Sequence, residues 1–253
     1  MPPRRSLAVV LRATDFGELD KLVTFFTLGF GRLSGIAKGA KKSRRRFGTN
    51  LEPFSLVRLH FFDKEHVGLV RVDQCDLLAS FQALRQDLPR LACGLYALEL
   101  VRELTAERER HRELFTCLVR FLELLAQVGP RGPLVVAFEL KLLALLGFEP
   151  QLRACVGCRQ ELPSGTPAAL SVEKGGLLCA RCVPGVAETI PVAGPTLDTW
   201  REILHAELAH AAGRPFSQAA LAESQTLLPR FVEVHLGRAI RSRGFMEEVL
   251  CVR

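Results

Sequence analysis

The sequence predicts a multidomain α+β protein: a small N-terminal β-barrel, then a mostly α-helical part that carries an inserted four-cysteine module. Three observations support this prediction. Apolar and β-branched runs separated by turn signals occupy about the first 75 residues, and helical periodicity replaces them from about residue 79. Two closely spaced cysteine pairs interrupt the helical part. We expect domains at residues 1–78, at 79–150 together with 190–253, and at 151–189.

Five short antiparallel strands are predicted in the N-terminal part. They cover residues 6–12, 21–28, 32–38, 54–62 and 66–72. The glycine-bearing turn at 29–31 joins the second strand to the third as a hairpin, and polar residues 63–65 join the last two strands. Five such strands in about 70 residues suit a closed barrel of the OB-fold type. Gly35, inside the third strand, is expected to allow the sharp bend that such a barrel needs.

Helical periodicity marks the rest of the chain outside the cysteine module. The predicted helices cover residues 89–104, 114–125, 133–146, 196–212 and 217–236, and residues 238–248 are expected to add a last turn. The helix at 133–146 is apolar on nearly all sides, which predicts a position at the buried centre of a bundle. Because the cysteine module lies between helices, we expect the helices before and after it to pack together.

Charge is distributed unevenly along the chain. Residues 1–50 contain 11 lysines and arginines against 3 acidic residues, whereas residues 51–253 contain 23 against 24. This asymmetry favours a polyanionic partner for the N-terminal part, with a solubilising charge run as the alternative. No apolar run approaches the about 20 residues of a membrane span, and the short apolar stretch near the N-terminus does not fit a signal peptide. We therefore expect a cytoplasmic protein with no membrane partner.

The cysteine pairs follow the pattern C-x2-C-x20-C-x2-C and consist of Cys155 with Cys158 and Cys179 with Cys182. A two-residue gap lets both sulfurs of a pair reach one ion, and four thiolates complete the tetrahedral coordination of Zn²⁺. No coordination position then remains for water or substrate, so the predicted zinc is structural. Disulfides and free thiols are the alternatives, and a reducing compartment disfavours the disulfides.

A basic cluster separates the third predicted strand from the fourth. Residues 38–46 contain six cationic side chains, which are Lys38, Lys41, Lys42, Arg44, Arg45 and Arg46. Lysines bind phosphates as point charges and arginines can bind two phosphate oxygens at once, so we predict sequence-independent nucleic-acid binding by this loop. Gly39 and Gly48 are expected to keep the loop mobile. Phe47 either stacks on an exposed base or anchors the loop to the barrel.

Sequence motifs of catalysis are missing. Gly29 and Gly31 lack the third glycine of a dinucleotide-binding turn, the stretch around Gly39 does not fit a P-loop, and H-E-x-x-H does not occur. Glu99 and Glu139, inside apolar helices, are interpreted as structural carboxylates. We predict a binding protein rather than an enzyme. Two alternatives stay open: a zinc-ribbon enzyme that modifies nucleic acid, and an RNA-associated scaffold protein.

Several strings along the chain resemble the RecO family of bacterial DNA recombination and repair proteins. They lie at residues 22–27, 37–44, 51–54, 96–100, 138–143, 147–148, 155–158 and 175–182. Their order, with the cysteine pairs in place, makes the resemblance specific over residues 7 to about 185. The resemblance implies an N-terminal OB-fold and a helical domain with an inserted zinc module.

The same resemblance implies a non-enzymatic function in the cytoplasm, in association with the nucleoid. This function comprises binding of single- and double-stranded DNA, annealing of complementary strands, and assistance in loading RecA in a RecF-type pathway. The implied partners are RecR, the acidic C-terminal tail of the single-stranded DNA-binding protein (SSB) and, indirectly, RecA. For the acidic tail we expect an apolar groove rimmed by arginine, and the helix-borne candidates are Arg102, Arg120, Arg131 and Lys141.

Overall fold

The computed structural model describes residues 3–43, 45–64 and 68–251, except for the side chain of Cys251. The chain forms two compact units, Met1–Gly129 with Arg241–Arg253, and Pro130–Ile240. The division into three domains stays a prediction. Among the described residues, no helix combines the length and the apolar composition needed to cross a lipid bilayer.

Five strands close the N-terminal barrel. They are β1 (Arg4–Phe16), β2 (Asp20–Thr27), β3 (Gly31–Ala37), β4 (Leu56–Phe62) and β5 (Leu69–Ala79). The order is β1-β2-β3-β5-β4, and β4 pairs with β1 to complete the ring. The predicted five-stranded barrel is therefore confirmed. The start predicted for the last strand, residue 66, lies outside the described residues.

The barrel differs from the prediction in one pairing, because β3 runs parallel to β5. An odd number of strands cannot alternate in direction around a closed ring, so one neighbouring pair must be parallel. Gly35 pairs with Val70 across this seam, and a Cβ at position 35 would lie 2.7 Å from Val70 Cγ2 and 2.9 Å from the Val70 carbonyl oxygen. Glycine is therefore required here because β5 approaches β3 closely.

Gly31, at the start of β3, has a φ of +68°, and a Cβ there would lie 1.9 Å from the carbonyl oxygen of Glu109. We expect Gly31→Ala to lower the free energy of unfolding by about 2–4 kcal/mol, since the backbone must move and the left-handed conformation is strained. Gly17→Ala is the matched control, because Gly17 has a φ of +61° and nothing within 4 Å of the added Cβ. This control should lose only about 1 kcal/mol. Urea denaturation measures both losses. Equal losses in the free energy of unfolding would contradict steric overlap with the Glu109 backbone as the cause.

Helices and a small sheet follow the barrel in the described part of the chain. The helices are α1 (Gln82–Gln86), α2 (Leu88–Leu104), α3 (Arg112–Val128), α4 (Gly132–Leu145), α5 (Gly194–His205), α6 (Leu208–Gly213), α7 (Gln218–Leu236) and α8 (Arg241–Cys251). The strands are β6 (Ala168–Ser171), β7 (Gly176–Leu178) and β8 (Ile190–Val192), and β6 is central between β7 and β8. This sheet of the cysteine module was not predicted.

In the first unit, α8 packs on α2. The carboxylate of Glu99 on α2 accepts a hydrogen bond of 2.8 Å from the backbone N–H of Ser242, in the first turn of α8. A last turn was expected at residues 238–248, whereas α8 is a helix of 11 residues from Arg241 to Cys251. A carboxylate from a distant helix satisfies one of the exposed N–H groups that every helix N-terminus has, and local sequence does not show this contact. The structural interpretation of Glu99 is confirmed.

In the second unit, α4 is buried along most of its length and packs against α5, α6 and α7. The predicted central position of this helix is confirmed. The helix predicted at 196–212 is instead split into α5 and α6 at residues 206–207, where the backbone is extended. The ammonium group of Lys141 on α4 donates a hydrogen bond of 2.8 Å to the carbonyl oxygen of Leu204. This bond satisfies a carbonyl group at the C-terminal end of α5.

Candidate nucleic-acid interface and metal centre

The basic cluster lies in the connection from β3 to β4. Arg44 lies outside the described residues; Lys38, Lys41, Lys42 and Arg45 are exposed, and Arg46 is half-buried. Hydrogen bonds between nearby backbone groups fold the segment into turns. The N–H groups of Lys42 and Ser43 both donate to the carbonyl oxygen of Gly39, which has a φ of +68°. The segment at 38–46, called the basic loop below, is therefore a folded connection.

Phe47 anchors the basic loop to the barrel. Its side chain is fully buried in the barrel core. On either side of it, the N–H of Cys75 on β5 donates to the carbonyl oxygen of Arg46 at 3.1 Å, and the Asn50 side chain donates to the Cys75 carbonyl oxygen at 2.7 Å. The anchoring hypothesis is confirmed. Base stacking by Phe47 is wrong for this structure, because the ring has no exposed face.

Two of the predicted DNA-binding cations also support the loop itself. The guanidinium of Arg46 donates to the carbonyl oxygen of Lys38 at 2.9 Å and to Ser43 Oγ at 3.1 Å. Lys41 Nζ lies 3.0 Å from Asp15 Oδ2 and donates to the carbonyl oxygen of Gly17 at 3.2 Å. These contacts hold the loop in shape and fasten it to the turn between β1 and β2. The side chains of Arg46 and Lys41 are therefore less available for phosphate than the sequence suggests.

The side chains of Lys38, Lys42 and Arg45 form no ion pair within the described part of the chain, and all three are exposed. Each would lose little protein contact when it binds a phosphate. A lysine or arginine that neutralises a phosphate releases a counterion condensed on the DNA, and this release supplies the non-specific affinity. These three residues are therefore stronger phosphate-binding candidates than Lys41 and Arg46.

The basic loop borders the outer face of β1, β2 and β3. In one row across this face, Thr14 pairs with Leu22, Leu22 pairs with Ile36, and Ile36 pairs with Arg71 of β5. The far end of the face is covered, since the Arg32 side chain donates to the Thr105 carbonyl oxygen at 3.0 Å. The end next to the basic loop is called the open face below, because Arg12, Phe16 and Arg71 are exposed there. In OB-folds, oligonucleotides bind on the face of the second and third strands, together with the loops that join strands 1 and 2 and strands 4 and 5.

Two exposed arginines on the strands were missed by the sequence reasoning. Arg12 lies on β1 and pairs with Thr24, and Arg71 lies on β5 next to Ile36, so they stand on either side of the open face. The alternation of buried and exposed residues along β5 marks Arg71 as outward-facing. Only the strand register shows that both arginines flank the same surface.

The four cysteines of the module converge. The Sγ atoms of Cys155, Cys158, Cys179 and Cys182 all lie within 4.8 Å of one another, and all four are free thiols. Each pair is held by a tight turn. The N–H of Arg159 donates to the Cys155 carbonyl oxygen, and the N–H of Cys182 donates to the Cys179 carbonyl oxygen, both at 2.8 Å. Because β7 ends at Leu178, it delivers Cys179 directly to the cluster.

The pKa shifts of this cluster differ between its cysteines, because hydrogen bonding with the thiols of Cys158, Cys179 and Cys155 raises the pKa of Cys182 to about 12, whereas the pKa of Cys155 is lowered. Burial raises the pKa of the Cys155 thiol, but the backbone N–H groups of Cys179, Cys158 and Gly157 outweigh it and lower the pKa to about 6. The N–H of Cys179 lies 3.3 Å from Cys155 Sγ. Cys158 Sγ and Cys179 Sγ are 3.7 Å apart. Four sulfurs at about 2.3 Å from a tetrahedral Zn²⁺ would be about 3.8 Å apart, so this donor set and its spacing fit the ion.

Two family models together match most of the chain. Residues 1–81 match the family model "Recombination protein O N terminal", and residues 85–244 match "Recombination protein O C terminal". The chain belongs to the RecO family. The resemblance predicted from the sequence is confirmed, and the chain is a member of a family of DNA repair proteins.

Curated relatives within the RecO family match this chain over nearly its full length. The DNA repair protein RecO of Anaeromyxobacter sp. (strain K) is 42% identical over 241 residues, covering 95% of this chain and 94% of the relative. DNA repair protein RecO of Myxococcus xanthus (strain DK1622) is 37% identical, covering 96% of each chain. That of Geobacter sulfurreducens is 35% identical, covering 98% of this chain and 99% of the relative.

The cations considered for an acidic tail are mostly engaged in this RecO-family chain. Arg102 lies 3.4 Å from Glu99 Oε1 and 2.7 Å from Glu103 Oε1. Arg120 lies 3.0 Å from Glu123, and Lys141 bonds to a backbone carbonyl oxygen of α5. Arg131 precedes α4 as its N-cap residue. The expectation of a groove for the acidic tail at these positions stays a prediction.

Proposed function

We propose that this chain binds single- and double-stranded DNA through the basic loop and the open barrel face, and that it anneals complementary strands. The observation that carries the proposal is the position of Lys38, Lys42 and Arg45. They are exposed on a folded loop beside the strand face that OB-folds use for oligonucleotides. Contacts of this kind read phosphates rather than base edges, so binding should be independent of sequence.

Annealing follows from the same charges. Two DNA strands repel each other through their phosphates, and cations displayed on a fixed surface reduce this repulsion where the strands meet. No covalent bond is made or broken in this process, so the proposed role is non-enzymatic.

We further propose that the four cysteines bind Zn²⁺ as a structural ion. Four thiolates leave no open coordination position, and an open position is what catalytic zinc sites keep for water or substrate.

We propose RecR, the acidic C-terminal tail of SSB and, indirectly, RecA as partners in loading RecA on SSB-coated strands. A groove of about 630 Å³ in the second unit is the proposed binding site for the acidic SSB tail. Its lining includes Arg230, Arg238 and the apolar Ile190 and Val234, and Val234 is 56% exposed. Glu188 and Glu233 also line this groove, so the arginines must outweigh them to attract an acidic peptide.

The test is annealing of complementary oligonucleotides, bare and coated with SSB. We expect this chain to accelerate annealing of both, and to lose most of its effect on coated strands when SSB lacks its C-terminal tail or when Arg230 is changed to Glu. Bare strands should be unaffected by either change. Equal rates with and without this chain would refute the annealing role. Faster annealing of RNA than DNA would favour an RNA-associated scaffold, and metal-dependent cleavage or modification of the oligonucleotides would favour an enzyme.

A further inference from the structure

We propose that Phe16, together with Leu19, forms a platform on which a base of single-stranded DNA stacks. The inference deepens the proposed function and rests on it. Phe16 is the last residue of β1 and Leu19 lies in the turn that follows; their side chains are 48% and 39% exposed. Exposed aromatic rings beside a cationic groove are the usual base-binding elements of single-strand binding proteins.

The other phenylalanines of the barrel do not offer such a surface. Phe25, Phe47 and Phe61 fill the barrel core. Phe26 lies under the α3 ring of Phe115, with 6.1 Å between the ring centroids. Phe30 and Phe62 are covered by arginine side chains. Among the described residues of the barrel, Phe16 therefore presents the largest exposed fraction of an aromatic ring.

The position of Phe16 is set by the basic loop. The N–H of Lys41 donates to the Leu19 carbonyl oxygen at 3.1 Å, and the N–H of Gly39 donates to Asp20 Oδ1 at 2.8 Å. The ion pair from Lys41 to Asp15 adds a third connection. The turn and the phosphate-binding cations are thus held as one piece. A ring that is already in place costs less conformational entropy when a ligand binds.

Strand alternation places Phe16 on the open face. Beyond the irregularity between Val10 and Arg12, alternate residues of β1 point outward, which puts Arg12, Thr14 and Phe16 on one side. Thr14 pairs with Leu22, which belongs to the row that crosses this face. A strand of DNA on the face would therefore meet cations at Arg12 and in the basic loop, and the apolar pair between them.

The charges around the turn favour a base over a phosphate at this point. Asp15, Glu18 and Asp20 surround the apolar pair. Lys41 compensates Asp15, and the N–H of Gly39 binds Asp20, but Glu18 is exposed and would repel a phosphate. A neutral base carries no such penalty. The two parts of the surface therefore favour different parts of a DNA strand. The basic loop favours phosphates, and Phe16 favours a base.

Equilibrium binding of Phe16→Ala to three probes of equal length tests the inference: oligo(dT), an abasic strand and a duplex. We expect affinity for oligo(dT) to fall roughly 5- to 100-fold, the range for loss of one stacked base. Affinity for the abasic strand and the duplex should change less than about twofold, since neither offers an unstacked base. Phe245→Ala, which removes a 38% exposed ring from α8 in the same unit, is the matched control and should leave all three affinities unchanged.

A second variant keeps the test independent of any loss of folding. Phe16→Trp should retain affinity for oligo(dT), and its added fluorescence should be quenched by oligo(dT) but not by the abasic strand. The native Trp200 is fully buried and should contribute a constant background. The inference is overturned if Phe16→Ala leaves oligo(dT) affinity unchanged while loss of the loop cations lowers it. An equal loss on the abasic strand would also overturn it. If loss of the loop cations changes nothing, the proposed DNA-binding function fails instead.

Discussion

Replacing Lys38, Lys42 and Arg45 together with alanine should lower the affinity for single-stranded and double-stranded DNA roughly 10- to 100-fold at low salt. The three side chains are exposed and form no ion pair in the described part of the chain, so their loss removes phosphate contacts without removing support for the fold. The slope of log affinity against log salt should become shallower by about 3, one for each lost cation. The melting temperature should stay within about 2 °C of the parent, as for most surface substitutions.

The control for this variant removes the same charge from other surfaces of the first unit. Arg5 and Arg58 are exposed on β1 and β4, and Arg112 is exposed at the start of α3. Changing these three residues to alanine lowers the net charge equally. If affinity depended only on net charge, the two variants would behave alike, and the basic loop would lose its assigned role. Lys41 and Arg46 are left unchanged in both variants. Substituting them would break bonds that hold the loop and the turn after β1, and a loss of folding could then be mistaken for a loss of binding.

Removing one cysteine of the cluster should abolish metal binding and unfold the cysteine module. We expect purified protein to carry about one equivalent of zinc and Cys179→Ala to carry less than half an equivalent. Structural zinc contributes about 10–16 kcal/mol in small zinc-binding peptides, which exceeds what a three-stranded sheet of this size can supply on its own. Elemental analysis measures the metal, and hydrogen exchange should show lost protection in β6 and β7.

The helices of the second unit should survive this loss in part. Arg201 on α5 donates hydrogen bonds to the carbonyl oxygens of Leu152 and Leu162, at the entrance to the module, and these bonds do not involve the cysteines. Cys117→Ala provides the control, since Cys117 lies on α3, apart from the cluster. It should retain the zinc content of the parent. Retention of a full equivalent of zinc by Cys179→Ala would rule out a four-thiolate site.

Much of the fold could be predicted because it follows from patterns within short segments. The apolar helix α4 and the paired cysteines depend on residues a few positions apart, and the structure has both as predicted. The barrel strands follow from alternation and turn signals, and their number is confirmed. The parallel seam between β3 and β5 comes from ring closure, which no single strand encodes.

The candidate DNA-binding site was predictable only as a region. In the sequence, the cations of the basic loop are equivalent, and Phe47 has two possible roles. The fold distinguishes these residues. Lys41 binds Asp15 and the Gly17 carbonyl oxygen, the β5 backbone binds the loop, and Phe47 is buried in the barrel core. The fold also brings Phe16 to the loop, although the two are far apart in the chain.

Period and spacing in the amino-acid chain thus sufficed for the barrel, the central helix and the four-cysteine cluster, since these depend on near neighbours. Which charged and aromatic side chains remain exposed was settled by folding. Accessibility depends on partners supplied by other strands, and their positions follow from register and barrel closure rather than from any local pattern.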